Sequence, residues 1–351
     1  MEFTGLLGAY PKQHILTEQE RQHQLKQGHR LNVEPHYQLS VIKMNSSFLE
    51  TVDKWFAWKG VITGFAAFLI CLFSYGVVVV GFCSNVTSWS QMDSTERLEQ
   101  IMFSTFICAI SLPFIVCGLW MLRKESFALT HYPIRFNCKT RIVHVFRTDG
   151  SVLSVPWSEI FFTLGHLPAW NEWEVRGYVL EKDGITVRET FALSYVGSID
   201  SSDVTAEVGE ISSSDFVRAH WEFVRRYMEE GPESVSSQVQ FCMPIDERRE
   251  NVGVSLERIF ANIAGAPIFI YYLLAPICMG VFFFRVIAMR TSKVPVWPID
   301  IDTSGRIEPG DPFAIKGNLR GDRVALFPDA ALAAGVGFQK SADKGKNLSN
   351  V

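Results

Sequence analysis

The chain has 351 residues, a formal net charge of -4 and a pI near 6.1. This near balance gives no electrostatic reason to expect a polyanionic partner such as nucleic acid. The seven cysteines form no CxxC pair and no disulfide framework, and residues 1–45 are too polar for a cleavable signal peptide.

The first 44 residues form a polar N-terminal segment. Thr17 and Glu20 have the spacing of a capping box, which predicts a short helix that Gly28 could end. Four of the eight histidines lie in residues 1–44, but their spacings match no metal-ligand pattern, so no metal site is predicted.

Residues 45–59 predict an amphipathic helix that lies along a membrane surface. Its apolar face would carry Phe48, Val52, Trp55 and Phe56. This interfacial helix would lead directly into the first long apolar run.

Residues 60–122 predict a transmembrane helical hairpin. Its arms, 60–82 and 101–122, contain no charged residue, and each reaches the roughly 20 residues that a helix needs to cross a bilayer. Aromatic and basic residues flank both arms, as is typical of interfacial anchors: Trp55, Trp58, Lys59, Trp120, Arg123 and Lys124. The alternative, a buried helix pair in a large soluble core, would not need such anchors.

Basic residues near the helix ends predict the orientation of the hairpin. The loop between the arms has only Arg97, whereas both outer flanks are richer in lysine and arginine. The flanking residues are Lys43, Lys54, Lys59, Arg123, Lys124, Arg135, Lys139 and Arg141. We therefore expect a multi-pass membrane protein with its N-terminus and the following β domain in the cytoplasm.

Residues 126–230 predict a cytoplasmic antiparallel β domain closed by one helix. Runs rich in Val, Ile, Phe and Tyr alternate with turn signals such as Asp149-Gly150 and Asp183-Gly184, which favour hairpins. The predicted strands are FALTHY, PIRFN, RIVHVFR, SVLSVP, EVRGYVLEK and ITVRETFAL. The fold class is therefore α+β, with an antiparallel meander.

A helix predicted from Asp215 to about Glu230 closes this sheet. The polar stretch before it, residues 197–213, is expected to be a disordered loop. We expect Phe146 and Trp157 to be buried in one core of the domain. The helix would add an apolar stripe of Val217, Trp221, Val224 and Met228.

The third apolar run, 263–284, is long enough to cross a bilayer but contains Pro267 and Pro276. If the run spans, the tail from Thr291 lies outside; if it is re-entrant, the tail stays inside. We predict a third transmembrane helix, followed by a loosely structured Gly/Pro-rich tail, 291–351.

The sequence contains none of the signatures that identify a reaction. No P-loop, GxSxG, HExxH or kinase motif occurs, and the three apolar runs lack the ionisable residues that pumps and ion-coupled carriers need. We therefore predict a non-enzymatic protein without a cofactor, and no catalytic, cofactor-binding or metal-binding residue.

Two resemblances add to this picture. The element order over Phe127–Met228 resembles bacterial pleckstrin-homology-like (PH-like) membrane proteins. Several short motifs resemble an uncharacterised family of proteobacterial inner-membrane proteins, which are often encoded beside type VI secretion effectors, and this resemblance would cover residues 40–320. The motifs are Pro133-Ile-Arg-Phe-Asn137, Arg141-x-Val-x-x-Phe146, Asp149-Gly150, Val155-Pro-Trp157 and Trp221-x-Phe223-Val224-x-x-Tyr227. The resemblance implies no catalytic residue.

Two functions remain open. The first is an interaction protein of the inner membrane, such as an immunity or accessory protein that binds a secreted effector or a membrane neighbour. The second is a PH-like module that reads lipid headgroups or a peptide through basic residues, although such residues are also common as solvated groups near a bilayer. The candidate ligand or headgroup contacts are Arg135, Lys139, Arg141 and Arg147. Membrane lipid and a protein are the expected partners, and the oligomeric state is not predicted.

Overall fold

The computed structural model describes residues 3–79, 92–167, 172–197, 213–239, 242–261, 268–305 and 307–316. The chain divides into two units, which are named here the two-sheet unit and the helical unit. The two-sheet unit contains Met1–Ala57, Leu129–Cys278 and Val294–Val351, and the helical unit contains Trp58–Ala128 and Met279–Lys293. The class is α+β, as the sequence predicts.

Short strands and a few long helices make up the described residues. The strands are β1 (His14–Ile15), β2 (Gln24–Leu25), β3 (Val41–Met44), β4 (Phe48–Thr51), β5 (Ile134–Asn137), β6 (Ile142–Phe146), β7 (Val152–Pro156), β8 (Ile160–Leu167), β9 (Glu172–Leu180), β10 (Thr186–Gly197) and β11 (Ile315–Lys316). The helices are α1 (Glu18–Gln22), α2 (Val61–Gly76), α3 (Ser94–Glu125), α4 (Ser213–Glu230), α5 (Val252–Ala261), α6 (Ile268–Thr291) and α7 (Ile299–Ser304).

The strands form two antiparallel sheets. The six-stranded sheet has the order β11-β3-β4-β5-β6-β7, and the five-stranded sheet has the order β1-β10-β9-β8-β2. A 3-10 turn at Trp157–Glu159 joins β7 to β8, so the chain passes there from one sheet to the other. The antiparallel pairing is confirmed, but the meander is divided between two sheets and includes strands from outside residues 126–230.

Five of the six predicted strands are present, as β5, β6, β7, β9 and β10. The strand predicted at residues 127–132 is wrong: Leu129 alone forms a single β-bridge there, and the N–H group of Tyr132 donates to a side chain, Asp53 Oδ1, at 2.6 Å. The strand β8 was missed because residues on both of its faces are buried, which hides the alternation of apolar and polar positions.

The surface helix predicted at residues 45–59 is wrong. Phe48–Thr51 forms β4, and only Phe56–Trp58 forms a turn of 3-10 helix. Asn45 reverses the chain before β4, because its Oδ1 accepts hydrogen bonds from the backbone N–H groups of Ser47 at 2.7 Å and Phe48 at 3.0 Å. All four residues of β4 are buried, so its apolar residues do not alternate and their helical spacing is coincidental.

The N-terminal segment, predicted to be only a polar extension, contributes to both sheets. The strands β1 and β2 form the two edges of the five-stranded sheet, and β3 lies inside the six-stranded sheet. The capping box of Thr17 and Glu20 is confirmed, although α1 already ends at Gln22 rather than at Gly28.

The helix α4 packs its apolar stripe into the core, as predicted. The ring of Trp221 stacks on Trp157 with the centroids 5.5 Å apart, and it lies 4.5 Å from the ring of Phe162. The stripe residues Val217, Trp221, Val224 and Met228 are all buried.

Phe146 and Trp157 are both buried, but they lie on opposite faces of the six-stranded sheet. Trp157 packs edge-on against Phe136, with the centroids 6.3 Å apart. Phe136 pairs with Val143, and Val143 and Phe146 are an odd number of residues apart on β6, so their side chains point to opposite faces. Both faces of this sheet are therefore covered.

The helical unit is built on the packing of α2 against α3. Gly118 of α3 lies against Ala66 and Ile70 of α2, and the rings of Phe73 and Phe114 stack with centroids 4.2 Å apart. Among the residues that the structure describes, three helices are long and apolar enough to cross a membrane: Val61–Val79, Ser94–Glu125 and Tyr272–Thr291.

Two of the long helices have bounds that differ from those of the predicted apolar runs. The arm predicted at 101–122 starts earlier, because a capping box of Asp93 and Glu96 begins α3 inside the polar loop. The third helix lies further along the chain than the predicted 263–284. The predicted loop at 197–213 and most of the predicted tail at 291–351 fall outside the described residues, although α7 and β11 give the start of that tail regular structure.

Glu125, the last residue of α3, binds the ends of two other helices. Its carboxylate accepts hydrogen bonds from the backbone N–H groups of Gly60 (3.0 Å) and Thr63 (2.6 Å), and from Thr63 Oγ1 (2.6 Å). These N–H groups open α2 and have no acceptor within it, so Glu125 acts as an N-cap supplied by another helix. Its backbone carbonyl accepts from Lys59 Nζ (3.0 Å) and from Ser292 Oγ (3.1 Å), just past α6.

We predict that Glu125→Ala destabilises the helical unit, because it leaves buried donors of α2 without an acceptor. The expected loss is about 3 kcal/mol, or roughly 4 °C in the Tm of the detergent-solubilised protein. Glu99→Ala is the matched control, since Glu99 lies exposed on the same helix. Equal Tm values for the two variants would contradict this role.

Candidate functional site

A row of polar residues crosses one face of the six-stranded sheet. Consecutive members are direct cross-strand partners on β3, β4, β5, β6 and β7, so their side chains share that face. We call this row the polar ladder: Lys43, Glu50, Arg135, His144 and Ser154. Its first four members are buried, which is unusual for ionisable residues unless they are paired.

Arg135 is the centre of the polar ladder. Its Nε and Nη2 lie 3.0 and 2.9 Å from Glu50 Oε2, and only 1% of its side chain is exposed. The guanidinium lies between two aromatic rings, 4.3 Å from the centroid of Phe48 and 4.6 Å from that of Trp297. These rings shield the ion pair from water and add cation–π attraction.

The segment after α6 covers the polar ladder. We call Val294–Ser304 the strap. Its Trp297 packs against Phe146, with centroids 5.0 Å apart, and edge-on near His144 at 6.5 Å. The strap also brings Asp302 to 3.5 Å from Arg135 Nη1, so it adds a second, weaker carboxylate contact to the same cation.

Burial changes the titration of His144. Desolvation, with the nearby positive charge of Arg135, lowers its pKa from 6.5 to about 4, and Asp300 opposes the shift. Its Nδ1 lies 2.8 Å from Ser154 Oγ, so the neutral ring has a hydrogen-bond partner there. The imidazole is therefore uncharged at neutral pH, so Arg135 and Lys43 are the cations of the ladder.

A small cleft with a volume of about 50 Å³ opens at the edge of the polar ladder. Four carboxylate residues line it together with His131, two prolines, Val296 and Trp297; the carboxylates are Glu50, Asp246, Glu247 and Asp302. Lys43 binds Asp246 at 2.6 Å and Arg135 binds Glu50, so two of the four charges are neutralised within the chain. The cleft suits a positively charged group better than an anion.

The four basic residues predicted to contact a ligand do not form one patch. Arg141 and Arg147 lie at opposite ends of β6, about 20 Å apart at 3.3 Å per residue. Arg135 is buried in the ladder. The other three are bound to carboxylates of the chain, in the pairs Lys139–Glu308 (3.2 Å), Arg141–Glu229 (2.6 Å) and Arg147–Glu189 (3.3 Å).

Sequence reasoning found Arg135 but missed its partners. The sequence places Glu50 in a predicted surface helix, where the structure has β4, and it places Trp297 and Asp302 in a predicted loose tail, where the structure has the strap. Only the alternation of Arg135 with apolar neighbours on β5, and of His144 on β6, carried a signal in the sequence. Within the described part of the chain, no group of three or more His, Cys, Asp or Glu side chains could hold a metal ion.

These features define a class: an α+β protein with membrane-length helices and a buried ion-pair ladder. The chain belongs to a family of unknown function, DUF6708, whose match covers residues 111–309. That range includes Arg135, His144 and the strap. The expectation of an uncharacterised family is confirmed at this level. Curated proteins and solved structures give no match.

We predict that Arg135→Met costs about 3 to 5 kcal/mol of stability, because it leaves the Glu50 carboxylate buried without its cation. The double variant Arg135→Met, Glu50→Met should recover much of that loss, since it removes the uncompensated charge. Arg141→Met, at a 43% exposed side chain, should change stability by about 1 kcal/mol or less. Denaturant unfolding followed by tryptophan fluorescence measures all three, and a double variant no better than the single one would contradict the pairing.

We also predict that stability falls as the pH drops from 6.5 towards 5. His144 and His220 both have a folded pKa lowered to about 4 by burial, below the ordinary value of 6.5. The unfolded chain therefore binds protons first, and each histidine contributes a slope of up to about 1.4 kcal/mol per pH unit.

His144→Gln should remove about half of this slope, and His144→Gln with His220→Gln most of it. The pH range from 6.5 to 5 lies above the ordinary carboxylate pKa, so protonation of acidic residues contributes little to the slope. Unfolding curves at several pH values measure the slope, and an unchanged slope in the double variant would contradict the assignment.

Proposed function

We propose that this protein is a membrane-anchored, non-enzymatic binding protein, whose helical hairpin holds the two-sheet unit at the surface of the bacterial inner membrane. What supports anchoring is the apolar outer surface of α2 and α3, which a soluble protein would rarely leave uncovered. The exposed large residues include Phe65, Phe68, Leu72, Phe103, Phe106, Leu112 and Leu119.

The orientation we propose has the two-sheet unit in the cytoplasm. Arg123 and Lys124 close α3 and can face anionic headgroups, with Lys124 Nζ 5.7 Å from the ring centroid of Trp120. Lys54 and Lys59, which also counted towards this orientation, are instead buried by contacts with Glu174 and with the Glu125 carbonyl. The charge asymmetry at the membrane surface therefore rests mainly on the end of α3.

A protein is the partner that we favour for the two-sheet unit. The observation that carries this choice is the cleft, in which carboxylates outnumber the cations that neutralise them. A basic segment of a protein complements such a cleft, whereas an anionic headgroup does not. This fits an immunity or accessory protein that binds a secreted effector or a membrane neighbour.

A PH-like architecture is part of the same proposal. It is supported by the antiparallel strands β5 to β10 followed by α4, whose Trp221 packs on Trp157 at the junction of the sheets. In a headgroup-reading version of this fold, basic residues would be free to bind phosphate. Lys139, Arg141 and Arg147 are instead each paired with a carboxylate of the chain. Headgroup binding is therefore only an alternative result of the experiment below.

The test is photo-crosslinking of the full-length protein in its native host. A crosslinker replaces Val296 at the mouth of the cleft, where 77% of the residue is exposed, and in a second variant replaces Ile185 in the β9–β10 turn. We expect one protein to crosslink at residue 296 and not at residue 185. Mass spectrometry identifies co-purified proteins and lipids.

A charge reversal at the cleft gives the specificity control. Glu247→Lys places a positive charge on the lining and should remove the crosslink, whereas Glu181→Lys, at an exposed residue just past β9, should not. Equal crosslinking at both positions would contradict a specific partner. Recovery of anionic lipid alone would replace the protein-binding proposal with headgroup binding.

A further inference from the structure

Both ends of α6 connect to segments that are packed in the two-sheet unit. On the N-terminal side, α5 is held by Arg258, whose guanidinium lies 4.9 Å from the ring centroid of Phe56 and whose Nη1 donates to Met243 Sδ at 3.4 Å. Met243 is itself bound to β3, because its N–H group donates to the carbonyl of Val41 at 2.7 Å. The chain that enters α6 is therefore tied to the six-stranded sheet.

The chain that leaves α6 returns to the same sheet. Trp297 of the strap packs on Arg135 and Phe146, and β11 pairs with β3 in the register Ile315–Met44 and Lys316–Lys43. The segments before and after α6 thus pack on the same sheet. A folded sheet lies on one side of a bilayer, so the two segments that pack on it do so as well.

The C-terminal end of α6 lies where the hairpin begins and ends. Arg285 Nη1 donates to the carbonyl of Lys59 at 3.3 Å, and the N–H group of Lys293 donates to the carbonyl of Ala128 at 2.9 Å. Gly60, with φ of +103°, permits this approach, since a Cβ there would lie 2.5 Å from Arg285 Cα. The last turns of α6 are therefore at the membrane edge from which α2 departs.

The N-terminal part of α6 is apolar on its whole circumference. Its exposed residues include Phe269, Tyr272, Leu273, Ile277, Met279 and Phe283. A helix that lay along the membrane surface would need a polar face, which this stretch lacks. Its apolar surface requires the hydrocarbon of a bilayer.

From these observations we propose that α6 is a re-entrant helix: it enters the bilayer from the side of the two-sheet unit, contacts the acyl chains of lipids, and does not emerge on the other side. A single crossing would place α5 and the strap on opposite sides of the membrane, which their packing on one sheet forbids. The link from Ala261 to Ile268 cannot carry the chain across the membrane either, because it reaches at most about 25 Å, less than the roughly 30 Å of a bilayer core. This inference rests on the proposed membrane anchoring, and it revises the third transmembrane helix predicted at 263–284.

The first experiment maps the side of each segment in right-side-out spheroplasts. Single cysteines at Ser90, Val252 and Val296 are introduced into full-length protein without native cysteines, and an impermeant maleimide is added before or after permeabilisation. Val252 and Val296 are 43% and 77% exposed and flank α6. We expect residue 90 to be labelled in intact spheroplasts and residues 252 and 296 only after permeabilisation.

The outcomes separate this inference from the proposal on which it rests. Labelling of exactly one of residues 252 and 296 in intact spheroplasts means that α6 crosses, and it overturns the re-entrant assignment while leaving the anchor intact. Protection of residue 90 overturns the proposed orientation, and recovery of the protein outside the membrane fraction overturns the proposed anchoring itself.

The second experiment tests whether α6 is inside the bilayer. A nitrobenzoxadiazole probe on Ile277→Cys, in proteoliposomes of the full-length protein, should be quenched by spin labels on lipid acyl chains and not by aqueous iodide. The same probe on Val296→Cys is the control and should be quenched by iodide. Iodide quenching at residue 277 equal to that at residue 296 would place α6 in water and overturn the inference.

Discussion

The six-stranded sheet depends on the buried ion pair between Arg135 and Glu50. An arginine that is 1% exposed is tolerated only when its charge is neutralised and its surface is covered. Glu50 meets the first requirement, and the rings of Phe48 and Trp297 meet the second. The strap must therefore lie over the sheet, and the polar ladder is closed by a segment far along the chain.

This pair also couples parts of the sequence that the membrane-length helices separate. Glu50 comes before the α2–α3 hairpin, Arg135 comes after it, and Trp297 follows α6. The six-stranded sheet cannot be completed until all three segments are present. Glu125 has the matching role in the helical unit, where it caps α2 and binds the residue after α6.

The same arrangement shapes the chemistry that the surface offers. Because Arg135 and Lys43 are used internally, the cations of the ladder are withdrawn from solvent, while Glu247 and Asp302 remain at the cleft. Basic residues that look available in the sequence are bound to carboxylates distant along the chain, as Arg141 is to Glu229. The surface beside the ladder consequently has an acidic character, in spite of the basic residues on neighbouring strands.

Local physics determined a large part of this protein. The long uncharged runs, the Asp-Gly turns, the capping box at Thr17 and the stripe of α4 are set by residues close together in sequence, and they could be predicted. Where both faces of a sheet are covered, apolar and polar residues do not alternate along its strands, so the sequences of β4 and β8 do not show the period of two that predicts a strand. The pairing of Arg135 with Glu50, the cover provided by Trp297 and the common attachment of both ends of α6 depend on residues up to hundreds of positions apart. Only the tertiary structure decided these, because burial and charge neutralisation act between side chains that neighbour each other in space.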